Sequence, residues 1–304
     1  MNSLTVNQPK KLVIGPGILD RLFQEVVENS SNPFVIIDPH VAVQLEPYLK
    51  GFKRSNVKLK EFLASKSEPK FSDFDNALMA ARDHGADYVL GIGGGSVLDI
   101  SKLVASLIDR EGSLSQYVGK GLIGVRKIPL CCVPTTSGAG SEASPNAIII
   151  DDTDNAKKGI IDPVLVPDAV YIDPKLMVTL PKSVTAYTGL DALTHCIEAY
   201  ANRNAHPVID VYALEGIRLI GQNLSSAIGN GHDLEAREKV ALGAYYGGMC
   251  LGPVNTAAVH ALAYPLGTYY KIAHGLSNAL LLPYVLEYNL EVAASRYANI
   301  AMAM

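Results

Sequence analysis

The run Tyr88-Val89-Leu90-Gly91-Ile92 passes without a spacer into Gly93-Gly94-Gly95. So short an apolar run suits a buried strand better than a helix, and the glycines stop it from continuing as either. Two other runs are built the same way. Phe34-Val35-Ile36-Ile37 ends at Asp38, and Ile128-Pro129-Leu130-Cys131-Cys132-Val133 ends at Pro134. Longer segments of helical period lie between them. Strands alternating with helices specify a mainly parallel sheet wrapped by helices. All three runs carry their polar or glycine punctuation at the carboxyl end, the edge where open α/β sheets bind ligands.

This texture holds to about residue 180. Beyond Pro181 the chain becomes long Ala/Leu-rich stretches of helical period, at 185–201, 207–226 and 234–251, with few β-branched runs. The expectation is a Rossmann-like α/β domain over residues 1–180 followed by an all-helical domain over residues 181–304. The last ten residues, Ser295 to Met304, read as helix with no Gly, Pro or basic stop signal, so the helical domain reads as truncated.

With 304 residues the chain is long enough for two cores. A net charge of −4 offers no general attraction for nucleic acid or acidic lipid. Cys131, Cys132, Cys196 and Cys250 form no CxxC pair and read as buried thiols of a reducing compartment. The start, Met1-Asn2-Ser3-Leu4-Thr5, has no basic and then apolar leader, and no uninterrupted apolar run reaches about 18 residues. A cytoplasmic enzyme with no membrane partner is the reading that fits.

Gly93-Gly94-Gly95-Ser96 joins a strand to a helix, so bare backbone can approach a pyrophosphate while the free amides of the helix start face its charge. A ligand-free turn is the competing reading, and the spacing departs from G-x-G-x-x-G. Pro134-Thr135-Thr136-Ser137-Gly138 is a second small-residue loop whose hydroxyls could bond ribose or phosphate, or merely close a turn. Asp38 could accept hydrogen bonds from a ribose diol, or simply initiate the Asp-Pro turn.

Asp191 and His195 stand four residues apart in a strong helix-forming segment, so both side chains leave one face. Such a pair can grip a divalent cation or form a plain surface hydrogen bond. His260 and His274 bracket a segment with Pro265 and Gly267 that reads as a turn folding back toward the same centre. His195, His260 and His274 lie in apolar surroundings, where an unpartnered imidazole is costly. Three imidazoles and one carboxylate suit Fe(II) or Zn(II) with a position left for substrate.

With these pieces in order, the chain resembles the iron-containing (group III) alcohol dehydrogenases, from Lys11-Leu12-Val13-Ile14-Gly15 to its last residue. The Gly93–Lys102 loop, Pro134-Thr135-Thr136, Asp191-Ala192-Leu193-Thr194-His195, and His260 followed by His274-Gly275 recur there in the same order. The resemblance implies that Asp191, His195, His260 and His274 hold the metal. It implies a cofactor set of Asp38, Gly94, Gly95, Ser96, Asp99, Thr135, Thr136, Asn146 and Lys157. It also implies a homodimer or larger assembly, and hydride exchange between a nicotinamide cofactor and a small alcohol or aldehyde.

Two positions depart from the family pattern. The second histidine of a His-x-x-x-His run is Tyr264, which makes Tyr264 the candidate proton donor or relay. An asparagine usual near the adenine pocket is Glu68. Asp38 favours NAD over NADP, because a carboxylate repels a 2′-phosphate. The rival readings are a sugar-phosphate cyclase or polyol dehydrogenase of the same superfamily, and an inactive cofactor-binding fragment. A cyclase needs extra cationic side chains for substrate phosphate, and only Lys182 and Lys271 lie near the proposed ligands in sequence.

Overall fold

The computed structural model describes residues 3–52, 57–65 and 68–304; Met1 and Asn2, used above in reading the amino terminus, lie outside them. Its strands are β1 (Lys11–Ile14), β2 (Pro33–Ile37), β3 (Lys60–Leu63), β4 (Tyr88–Gly93), β5 (Gly119–Lys120), β6 (Leu130–Pro134), β7 (Asn146–Ile150), β8 (Lys157–Ile161) and β9 (Ala169–Ile172). Its helices are α1 (Leu19–Asn29), α2 (Ala42–Phe52), α3 (Phe71–His84), α4 (Gly95–Leu107), α5 (Lys182–Tyr200), α6 (Pro207–Gly229), α7 (Leu234–Leu251), α8 (Ala258–Tyr270) and α9 (His274–Ala303).

The expected parallel α/β architecture and the helical part that follows are both present. Six strands form one sheet in the order β1-β9-β6-β4-β2-β3, and every pairing in it is parallel. The continuous apolar runs follow from burial on both faces. Successive side chains point to opposite sides, so Phe34 and Ile36 pack with α3 and α4 residues such as Ala77 and Leu103. Val35 and Ile37 pack with α1 and α2 residues such as Leu22 and Leu45.

Register sets the three punctuated strand ends side by side. Ile37 is level with Ile92, and Gly93 with Pro134. The amide of Asp38 donates to the Ile92 carbonyl at 2.8 Å, and that of Thr135 to Gly93 at 3.0 Å. Gly93 is bare because a Cβ there would lie 2.6 Å from Cβ of Val97. That closeness lets α4 start directly off its strand.

A small second sheet, β5-β8-β7, holds the antiparallel pair Asn146–Ile150 with Lys157–Ile161. It has no counterpart in the periodicity reading: β5 is two residues long, β8 opens on two lysines, and β7 buries only alternate residues. Asp99 and Lys102 fasten it to α4. Asp99 Oδ2 accepts the Ile148 amide at 2.9 Å, and Lys102 Nζ donates to the Asn146 carbonyl.

The compact units are not consecutive segments. One comprises Gln8–Thr135 and Pro145–Leu176; the other gathers Thr136–Ser144, Met177–Met304 and the described residues before Gln8. In the second unit, α5 is buried along its length from Asp191 to Tyr200, among apolar residues of α6, α7 and α9. No helix of the described residues is long and apolar enough to cross a membrane.

The turn expected at Pro265 and Gly267 is not there. Both residues lie inside α8, and the reversal falls at Lys271, whose φ is 57°. Its amide bonds Gly267 and that of Ile272 bonds Leu266, a C-terminal closure made without glycine. A proline removes a single helical hydrogen bond, and α8 runs on through Pro265, which is exposed.

Candidate metal centre and cofactor edge

Helix α5 supplies three charged or titratable side chains from one stripe. Asp191, His195 and Glu198 are at i, i+4 and i+7, and all three are buried. His260 reaches them from the first turn of α8, and His274 from the first residue of α9. Gly275 lets α9 come this close, since a Cβ there would fall 2.1 Å from the Tyr187 carbonyl oxygen of α5 and 3.1 Å from Cβ of Asp191.

One ligand atom each from Asp191, His195 and His260 lies within 4.8 Å of the other two. Donors around a tetrahedral ion with bonds of roughly 2.1 Å are about 3.4 Å apart, so the three need close only a little. The His195 and His260 rings stack with centroids 4.5 Å apart. His274 joins from the more open side, its Nε2 3.7 Å from Asp191 Oδ1. The four side chains singled out in the sequence therefore meet at one place, two from the interior of α5 and one each from the starts of α8 and α9.

Two side chains not singled out complete the cluster. Glu198 Oε2 accepts from His260 Nδ1 at 2.6 Å, which turns Nε2 toward Asp191, 3.6 Å away. Asn278, one turn after His274, donates Nδ2 to Asp191 Oδ1 at 2.6 Å and faces His260 Nε2 at 3.1 Å and His274 Nε2 at 3.4 Å. The Asn278 amide nitrogen thus sits where a carboxylate oxygen and two imidazole nitrogens converge. That is the electrostatic need a cation would meet. His195 Nδ1 is buried with no partner among the described residues, a further sign of unmet polar demand. The residues fit a divalent ion. The spacing Asp191-x-x-x-His195-x-x-Glu198 was the available signal for Glu198, and His274-x-x-x-Asn278 for Asn278.

Burial disfavours charge on Asp191, yet the surrounding imidazoles overcome it and hold the carboxyl well below the usual range. For His195 burial wins and lowers the ring to about 4, so it is a neutral donor. Burial also opposes charge on His260, but the Asp191 and Glu198 carboxylates prevail and raise it to about 9. Tyr264 stacks on His274, centroids 5.7 Å apart. Burial first, then the Asp191 and Glu198 charges, push its phenol above 10.

At the sheet edge, Gly94 caps α4 and Gly95 begins it, so the amides of Gly95 and Ser96 have no acceptor within the helix. Asp38 Oδ1 accepts from the amide and the ring of His40, at 2.9 and 2.8 Å. Its turn-forming role is therefore real, whatever else it bonds. Asp99 is engaged in fastening the small sheet, as described above. Asn146 Oδ1 is buried without a partner among the described residues. Lys157 pairs with Glu68 at 2.5 Å. Asn146 and Lys157 stand at opposite ends of the β7–β8 ladder, about 13 Å apart at 3.3 Å per residue.

The family model for iron-containing alcohol dehydrogenase matches residues 9–174, and the model for the C-terminal part of that family matches residues 185–304. The chain belongs to the iron-containing alcohol dehydrogenase family. It is 37% identical over 297 residues to long-chain-alcohol dehydrogenase 1 of Geobacillus thermodenitrificans, covering 96% of this chain and 75% of that protein. It is 30% identical to the NAD-dependent methanol dehydrogenase of Bacillus methanolicus, over 96% of this chain and 78% of that one. A crystal structure of a 1,3-propanediol oxidoreductase superposes on all of this chain and 80% of its own, with a TM-score of 0.95 at 30% identity. This family member is an alcohol oxidoreductase, working as an alcohol dehydrogenase or aldehyde reductase. The relatives favour that activity over the sugar-phosphate cyclase.

Proposed function

We propose that this chain interconverts a small alcohol or diol and its aldehyde, with NAD as hydride carrier and one divalent cation held by Asp191, His195, His260 and His274. The convergence of those four side chains from α5, α8 and α9 carries the reading. A bound cation there would supply Lewis acidity toward an alcohol or carbonyl oxygen. The family's name supports iron; the donor set suits Zn(II) equally.

The chain's own groups do the rest. Asp191, ionised, and His195, neutral, are already in the protonation states that a ligand needs. The amides of Gly95 and Ser96, with the Thr135 hydroxyl on the adjoining strand end, support a pyrophosphate contact. The buried acceptor of Asn146 and the cation of Lys157 extend the surface along β7 and β8. Asp38 at the end of β2 supports NAD over NADP, in keeping with the name of the methanol dehydrogenase relative. Asp99 serves the cofactor indirectly, by fixing β7 on α4. Tyr264, protonated at neutral pH, is suited to donate a proton during aldehyde reduction and poorly suited to accept one.

The four cysteines are free and buried, which supports a reducing, cytoplasmic setting. Self-association into a dimer or larger assembly rests on the family resemblance. An NADH-coupled screen of short alcohols, diols and aldehydes tests the whole reading. Metal-loaded protein should turn over at least one, and Asp191→Asn should lose both metal and turnover. Turnover undiminished in Asp191→Asn would overturn it.

A further inference from the structure

We propose that Glu198 is the positioning residue of the metal centre, fixing His260 with its proton on Nδ1 and its Nε2 lone pair turned inward. The proposal rests on the reading that Asp191, His195, His260 and His274 hold a cation. Glu198 is itself too far along α5 to be counted with them, and its carboxylate is fully employed elsewhere. Oε1 accepts the Val259 amide at 2.6 Å, while Oε2 accepts the Ala257 amide at 3.0 Å and His260 Nδ1 at 2.6 Å. Glu198 and His260 are 5% and 3% exposed, so water cannot replace any of these bonds.

The two amides belong to the N-cap and first turn of α8, which has no cap from its own residues. Helix starts leave such amides without acceptors, and they favour negative charge. One carboxylate on α5 thus caps α8 and orients the imidazole that α8 carries. A cap alone would need only the two amides. The third bond, to the ring, sets a tautomer. With the Nδ1 hydrogen held by Glu198, Nε2 is the atom left for Asp191 and the centre, and carboxylate pairing strengthens imidazole as a donor.

Glutamine at this position breaks the arrangement by symmetry of donors. Its amide nitrogen must face either the Val259 amide, or the Ala257 amide and the His260 ring; a donor meets a backbone donor in both cases, and in the second the ring must also give up its Nε2 lone pair to accept at Nδ1. We expect Glu198→Gln to bind Co(II) and Zn(II) roughly 10- to 100-fold more weakly than wild type in chelator competition. Its Co(II) visible spectrum should change as well. Asp191→Asn serves as the comparison. On Zn(II)-loaded wild type, long-range 1H–15N spectra of labelled histidines should show His260 protonated at Nδ1 and ligated through Nε2.

A Glu198→Gln chain with wild-type affinity and spectrum overturns the proposal. So does a wild-type His260 protonated at Nε2, a result that holds even where the variant does not fold. If wild type takes up no metal, or Asp191→Asn takes it up as tightly, the centre itself falls and this role with it.

Discussion

Gly275→Ala asks how much of the centre depends on two helix backbones touching. A Cβ at this position would lie 2.1 Å from the Tyr187 carbonyl oxygen, whereas a carbon normally rests about 3.3 Å from such an oxygen. The deficit is about 1.2 Å, taken against backbone with no side chain able to swing away. α9 must therefore retreat from α5 by on the order of 1 Å, carrying His274 at its first position. Coordination tolerates errors of only about 0.2 Å. Overpacking of this kind costs about 1–3 kcal/mol, so the metal-free protein should melt about 3–10 °C lower, and metal affinity should fall at least tenfold. Gly229→Ala is the control, because a Cβ there meets nothing within 4 Å and should leave stability unchanged or slightly raised. Thermal melts and chelator competition on both variants decide it. Wild-type metal affinity and melting in Gly275→Ala would refute the claim that helix contact sets the His274 position.

Four other expectations are accessible. The His260 ring, at about 9 when folded against about 6.5 when free, stabilises metal-free protein fully below about pH 6.5 and loses that contribution as pH rises through 9. Metal must displace its proton, so affinity should climb about tenfold per pH unit between 6.5 and 8.5; a flat profile would contradict the assignment. His195, lowered to about 4, works the other way, contributing above about pH 6.5 and losing it as pH falls toward 4, which melts of metal-free protein below pH 6 would detect. Tyr264→Phe keeps the stack on His274, so metal affinity should hold while aldehyde reduction slows at least tenfold; full turnover from pH 6 to 10 removes the phenol from the proton path. Asp38→Gly should raise the NADP-to-NAD ratio of kcat/KM by about tenfold or more, and an unchanged ratio would remove Asp38 from cofactor selection.

Much of this was legible in the residues because burial on two faces leaves an unmistakable mark. Phe34–Ile37 and Val89–Ile92 are apolar at every position, and glycine or aspartate stops them where the strands end. The β7–β8 hairpin left no such mark, since Asn146–Ile150 buries only alternate residues and Lys157–Ile161 only Ile160, and the pair is fastened by Asp99 and Lys102 of α4. Asp191 with His195 stood out as a one-turn pair. Glu198 and Asn278 were legible in principle, at one more turn along the same faces, but their partners lie 62 and 87 residues away in sequence. Pro265 and Gly267 suggested a turn by local propensity, yet α8 continues through both, because a proline costs a helix one hydrogen bond and need not end it. Lys271, which makes the reversal, has the left-handed backbone usually left to glycine.

A crystal grown with Fe(II) or Zn(II), and an anomalous map at the metal edge, addresses the central claim most directly. One peak per chain is predicted, within about 2.3 Å of a carboxylate oxygen of Asp191 and of one nitrogen each of His195, His260 and His274. A peak held by other side chains, or these four groups bound to nothing in common, would contradict it.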